Sequence, residues 1–160
     1  MQELFVNMGE MAALKSSGVL TTVGLGSCIG LTIYDPVAQV GGMAHIFLAR
    51  NPNSEKAPEL PGKYADTGVK ALIDLVESLG ARQRRLEAKL AGGANIFNNL
   101  SANGLSIGQQ NIIAVREQLE KYQIPIVGEQ VAGNKGRKMR LSIETGIVIV
   151  TSVGQQPVEI

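Results

Sequence analysis

The order of elements along this 160-residue chain predicts a mixed α/β fold, α+β-like, with substantial antiparallel pairing. Runs rich in Val, Ile, Leu and Thr gather before residue 50 and after residue 124. Two stretches with helical spacing lie between them, separated by one short strand. That order of strands, helix, strand, helix and strands is not the regular alternation of a doubly wound nucleotide-binding fold.

Residues 19–25 and 28–34 are short and β-rich, and the turn signal Asp35-Pro36 ends the second run. Residues 40–48 follow after a short connection, so the three runs predict a meander. In the second run Ile29, Leu31 and Ile33 fall on one face, and Cys28, Gly30, Thr32 and Tyr34 on the other. In the third, Met43, His45 and Phe47 share a face opposite Ala44, Ile46 and Leu48. Residues 51–62 carry three prolines and read as an exposed loop. The clearest helix covers 64–79, with Val69, Leu72, Ile73, Val76 and Leu79 at helical spacing and Gly80 as its stop.

Residues 86–91 read as a short strand running into Gly92-Gly93-Ala94-Asn95. A second helix over 108–121 buries Ile112, Val115 and Leu119 along one stripe. Both helical stripes read as core and not as binding surfaces. Pro125 prevents helical continuation, and 124–131 resumes strand character. Residues 139–144 and 147–152 bracket Thr145-Gly146 as a terminal hairpin. No repeat, low-complexity segment or linker divides the chain, so residues 1–160 are expected to form a single domain, long enough to bury a core without disulfides or metals.

Composition narrows the function classes. Fifteen basic against fourteen acidic residues give no bulk electrostatic case for nucleic acid, and no Trp with three Phe argues against a base-stacking platform. No apolar run approaches the ~20 residues that span a bilayer, so direct membrane insertion is not expected. The start Met-Gln-Glu-Leu-Phe-Val-Asn lacks a basic, then apolar, signal pattern. A reducing cytoplasm, where a lone thiol persists, is the expected compartment.

The chemistry-bearing residues are few. Cys28 is the only cysteine and His45 the only histidine. Together they supply a thiol nucleophile and a base able to activate it, if the fold joins them. Free cysteine most often packs as a small hydrophobe, and a lone histidine is most often a satisfied strand residue. Gly24, Gly26 and Gly30 around the thiol leave room for a carbonyl to approach, which a core-filling cysteine does not need. Ser27 flanks the thiol as a candidate substrate-positioning residue. A catalytic imidazole needs a third group to fix its tautomer, and Thr21 or Thr22 offers an oxygen. One Cys and one His fall short of a zinc set, so no metal is expected. The glycine spacing matches neither a dinucleotide fingerprint nor a P-loop, and no cofactor is expected. Gly133-Asn134-Lys135-Gly136-Arg137 reads as a solvated turn in preference to an anion nest.

The run Thr22-Val-Gly-Leu-Gly-Ser-Cys-Ile-Gly-Leu-Thr-Ile-Tyr-Asp-Pro36, then Gly41-Gly-Met-Ala-His-Ile-Phe-Leu48, resembles the chemoreceptor glutamine deamidase family, CheD. So do Pro61-Gly62-Lys63-Tyr64-Ala65-Asp66, Leu86-Glu87-Ala88-Lys89, Gly92-Gly93-Ala94-Asn95, Ile107-Gly108 with Asn111, and Glu144-Thr145-Gly146. The resemblance implies a β-sandwich-like core of mostly antiparallel strands flanked by helices, like the catalytic domains of deamidating toxins. It implies a cysteine amidohydrolase, a protein-glutamine glutaminase acting on the cytoplasmic helical domain of bacterial chemoreceptors in chemotaxis. Cys28 is then the nucleophile, His45 the base and Thr22 the group that orients it, with the CheC-type chemotaxis phosphatase as a second partner. The Cys28 backbone N–H is the expected oxyanion donor. Two other classes compete: a non-catalytic binding module for the phosphatase, and a different thiol acyl-transfer enzyme such as an esterase or protease.

Overall fold

A computed structural model describes residues 2–98 and 100–160. In chain order its elements are β1 (Glu3–Phe5), β2 (Met11–Lys15), β3 (Val19–Leu25), β4 (Ile29–Asp35), β5 (Val40–Ile46), α1 (Ala65–Ser78), β6 (Glu87–Gly92), α2 (Ile107–Lys121), β7 (Ile126–Val131), β8 (Arg137–Ser142), β9 (Val148–Ser152) and β10 (Val158–Glu159). One sheet has the order β1-β3-β8-β9-β10 and the other β2-β5-β4-β6-β7. Of the described strand pairs, β1–β3 and β6–β7 are parallel and the rest antiparallel, and an isolated parallel bridge joins Leu48 to Tyr64.

The two faces of β4 and β5 sort as their alternation requires. Ile29, Leu31, Ile33, Ala44 and Ile46 pack with Val69, Leu72, Ile73 and Val76 of α1 and with Ile112, Val115 and Leu119 of α2. Cys28 and Met43 belong instead to a second core with Leu20, Leu25, Met139, Leu141 and Val150 between the sheets. The layers are therefore sheet, sheet, helices: a β-sandwich-like core flanked on one side by α1 and α2. Each fully buried Leu, Ile or Val contributes about 1.5–3 kcal/mol, which fixes the register of both faces.

The predicted meander is incorrect in one respect. β4 and β5 pair as a hairpin, but β3 pairs with β1 and β8 in the opposite sheet. Its register slips between Thr22 and Leu25, where Gly24 adopts φ +70°. The chain then crosses from one sheet to the other through Gly26, Ser27 and Cys28. The glycines before the thiol thus serve a corner in the sandwich. Gly30, by contrast, is not open space: a Cβ there would meet Met139 Sδ at 2.8 Å and Leu25 Cδ1 at 2.9 Å. It is the point where the sheets touch.

α2 begins at Ile107, capped by Ser106, whose side chain accepts from the Gln109 N–H while Gln109 returns a bond to the Ser106 N–H. Gly108 lets this first turn sit on the β6–α2 connection, since a Cβ would lie 2.4 Å from the Gly93 carbonyl oxygen. At the far end of β4, buried Asp35 accepts from the N–H groups of Val37, Ala38 and Arg82 and from Arg85 Nε.

Candidate active site

The turn between the sheets and the first turn of α2 enclose a cleft of about 340 Å³. Cys28, Ser27, Gly24 and Gly26 form its floor, Ser106 to Gly108 one wall, and Met8, Phe47, Ile96 and Phe97 an apolar rim. Phe97 is 80 % exposed, and Met8 and Ile107 are half-exposed.

His45 sits on β5 directly across the ladder from Gly30, two residues beyond Cys28. Alternation puts Cys28 and His45 on the same inter-sheet face, and the glycine between them leaves no side chain opposite the imidazole. From the other sheet, Thr22 Oγ1 approaches His45 Nδ1 to 2.7 Å and the Val6 carbonyl oxygen to 2.6 Å. A carbonyl only accepts, so the single hydroxyl proton goes to Val6 and Thr22 accepts from Nδ1–H. His45 is thereby held as the tautomer whose Nε2 carries a free lone pair. That Nε2 is buried and has no hydrogen-bond partner among the described residues, the thiol included. Hydrogen bonds between catalytic groups are often long before substrate seats.

Both groups rest neutral. Burial pushes the Cys28 thiol up to about 11, only partly offset by its own backbone N–H. Burial lowers His45 below its ordinary 6.5, against the raising effect of the Val6 backbone. A resting thiolate–imidazolium pair is therefore disfavoured.

Of the two threonines open to this role, Thr22 contacts His45; Thr21 Oγ1 instead donates to Glu3 Oε1 at 3.1 Å. Ser27 lines the cleft, half-buried. Two participants had no role assigned from the sequence, although Asn111 stands among the residues that carry the family resemblance. Val6 precedes the β-rich runs and acts through its carbonyl, which no side-chain pattern reveals. Asn111 on α2, fully buried, donates through Nδ2 to the carbonyls of Ser27 (2.9 Å) and Phe47 (3.0 Å). Its signal was a polar residue within the apolar stripe of a helix.

A lone thiol and a tautomer-locked imidazole thus share the inter-sheet face at the corner of a helix-backed α/β sandwich. The family model described as CheD chemotactic sensory transduction matches residues 47–152. The chain is 44% identical over 149 residues (93% of it and 91% of the relative) to a Thermotoga maritima protein named chemoreceptor glutamine deamidase CheD. It is 43% identical over 153 residues (94% and 93%) to a probable chemoreceptor glutamine deamidase CheD of Caldanaerobacter subterraneus subsp. tengcongensis. A Pyrococcus abyssi protein of the same description is 40% identical over 159 residues, 99% of this chain and 97% of that one. The chain belongs to the CheD family.

Proposed function

We propose that this protein is a thiol-dependent amidohydrolase that converts glutamine side chains of chemoreceptors to glutamate, with Cys28 as nucleophile, His45 as base and Thr22 as its orienting group. The observation that carries the reading is the buried Nε2 of His45, unpartnered among the described residues and held in its basic tautomer by Thr22 on the face that also bears Cys28. The substrate follows from the names of the near-full-length relatives.

Cys28 Sγ bonds the carboxamide carbon while its proton passes to His45 Nε2 and the C=O π pair moves to oxygen. The tetrahedral oxyanion collapses, the C–N bond breaks, and the imidazolium proton leaves with ammonia. Water then attacks the thioester carbon, giving its proton to Nε2. The C–S bond breaks, the sulfur recovers the proton, and the glutamate carboxyl ionises. The same steps hydrolyse an ester, an easier electrophile. The apolar rim suits the face of a packed helix, with Ser27 beside the entering side chain. Site of action is the cytoplasm, which keeps Cys28 reduced.

The CheC-type phosphatase is the second partner proposed, on the family resemblance. Ammonia release from a receptor cytoplasmic fragment tests the reading. Wild type should release it and Cys28→Ala should not, while phosphatase binding survives that substitution. No release by folded wild type, with phosphatase still bound, would favour a binding module.

A further inference from the structure

Three successive carbonyls of the inter-sheet turn are tied inward. Gly26 O accepts from Ala94 N–H at 2.9 Å, Ser27 O from Asn111 Nδ2 at 2.9 Å and Cys28 O from Gly93 N–H at 2.9 Å. The outer two donors are backbone. The middle one is a side chain, and it reaches from α2 to Ser27, in the floor of the cleft. A planar trans peptide points its C=O and N–H in opposite directions. Drawing the Ser27 carbonyl toward Asn111 therefore turns the Cys28 N–H the other way, to the thiol side, where it has no backbone acceptor among the described residues and faces its own sulfur. Asn111 also holds Phe47 O, two residues beyond His45, so one amide group ties the thiol-bearing turn to the end of the imidazole-bearing strand.

The orientation of this amide is not free to flip. Both neighbours are carbonyls, and a reversed side chain would set oxygen against oxygen twice. Its Oδ1 is left buried without a partner among the described residues. A fold that keeps a fully buried asparagine with one end unsatisfied keeps it for the two bonds at the other end.

We infer that Asn111 is the positioning residue of the oxyanion site: by holding the Ser27 carbonyl it aims the Cys28 N–H at the oxygen that becomes negative when the thiol attacks. This rests on the acyl-transfer reading above. Asn111 never touches substrate. Its contribution belongs to the tetrahedral state and should appear in kcat, with KM little changed.

The test compares Asn111→Asp and Asn111→Ala with wild type in two reactions at Cys28. Deamidation of a receptor fragment passes through an oxyanion; alkylation by iodoacetamide is a displacement at a saturated carbon and forms none. The expected result is a kcat lower by roughly 10- to 100-fold with KM and alkylation rate within about threefold. An unchanged kcat, or a parallel fall in both reactions, would overturn the inference.

A second measurement needs no variant and no receptor. A glutamine-mimicking peptide aldehyde is added to ¹⁵N-labelled wild type. Sγ bonds the aldehyde carbon, the thiol proton passes to His45, and the former carbonyl oxygen takes the place of the oxyanion. The Cys28 amide resonance should move strongly downfield; no response would overturn the inference even if the variants fail to fold. A shifted amide without receptor deamidation would sustain the positioning role and count against the proposed substrate. Deamidation with a silent Cys28 amide would do the reverse.

Discussion

Thr22 Oγ1 lies 2.7 Å from His45 Nδ1 although the two residues belong to different sheets. The bond crosses the inner space of the sandwich, and the Val6 carbonyl on its far side fixes the hydroxyl proton. The basic nitrogen of His45 is thus set by the packing of one sheet on the other.

Thr22→Val keeps the shape and removes the hydroxyl. It should lower kcat roughly 10- to 100-fold, as expected when a base loses its fixed tautomer, while Thr22→Ser retains most activity. Steady-state kinetics on the two variants decide it; equal activity of Thr22→Val and wild type would dismiss the orienting role.

The neutral resting pair has a pH signature. Lowering of His45 by burial means its free base persists below pH 6.5, so the acid limb of kcat/KM should lie below that value. With Cys28 at about 11, no thiolate limb should rise through the alkaline range ordinary cysteines titrate in. A profile climbing tenfold per unit around pH 8–9, roughly the free-cysteine range, would point to a thiolate mechanism instead.

Gly92 and Gly24 separate two uses of glycine. A Cβ on Gly92 would lie 2.1 Å from the Cys28 carbonyl oxygen at φ +107°, whereas one on Gly24, at φ +70°, would meet none of the described residues within 4 Å. Gly92→Ala should destabilise by about 2 kcal/mol or more and abolish activity by displacing the thiol turn. Gly24→Ala should cost about 1 kcal/mol, from backbone strain alone, and leave Cys28 in place. Chemical denaturation with parallel assays distinguishes them.

Asp35 should govern acid stability. Burial alone would raise its carboxyl; the Arg85 guanidinium and the N–H groups of Arg82, Ala38 and Val37 overcome that and hold it at about 2 against an ordinary 3.8. A depressed carboxyl stabilises the fold above the unfolded value and loses that stability as pH falls through the folded one. About 2 kcal/mol should therefore disappear between pH 4 and 2. Asp35→Asn should flatten that part of the pH–stability curve and lower stability at neutral pH by roughly 3 kcal/mol, since Arg85 is left without its partner.

What the sequence disclosed follows from periodicity. β3, both helices and the inward set on β4 and β5 were legible because their apolar residues recur at strand or helix spacing. β2 was not: Met-Ala-Ala-Leu-Lys consists of good helix formers, and only pairing along β5 makes it a strand. β1 and β10, at three and two residues, are too short to show a period. The meander failed because a corner between sheets and a tight hairpin carry the same glycine-rich signature. Residue types alone left Thr21 and Thr22 open and only the family resemblance chose Thr22; in the structure β3 turns Thr22 toward His45 and Thr21 toward Glu3.

The most direct measurement is the intact mass of a chemoreceptor cytoplasmic fragment after incubation with wild type and with Cys28→Ala. A gain of about 1 Da per modified glutamine, the amide-to-acid difference, is expected with wild type only. The same gain with both proteins would contradict Cys28 as nucleophile, and no gain with folded wild type would contradict the deamidase itself.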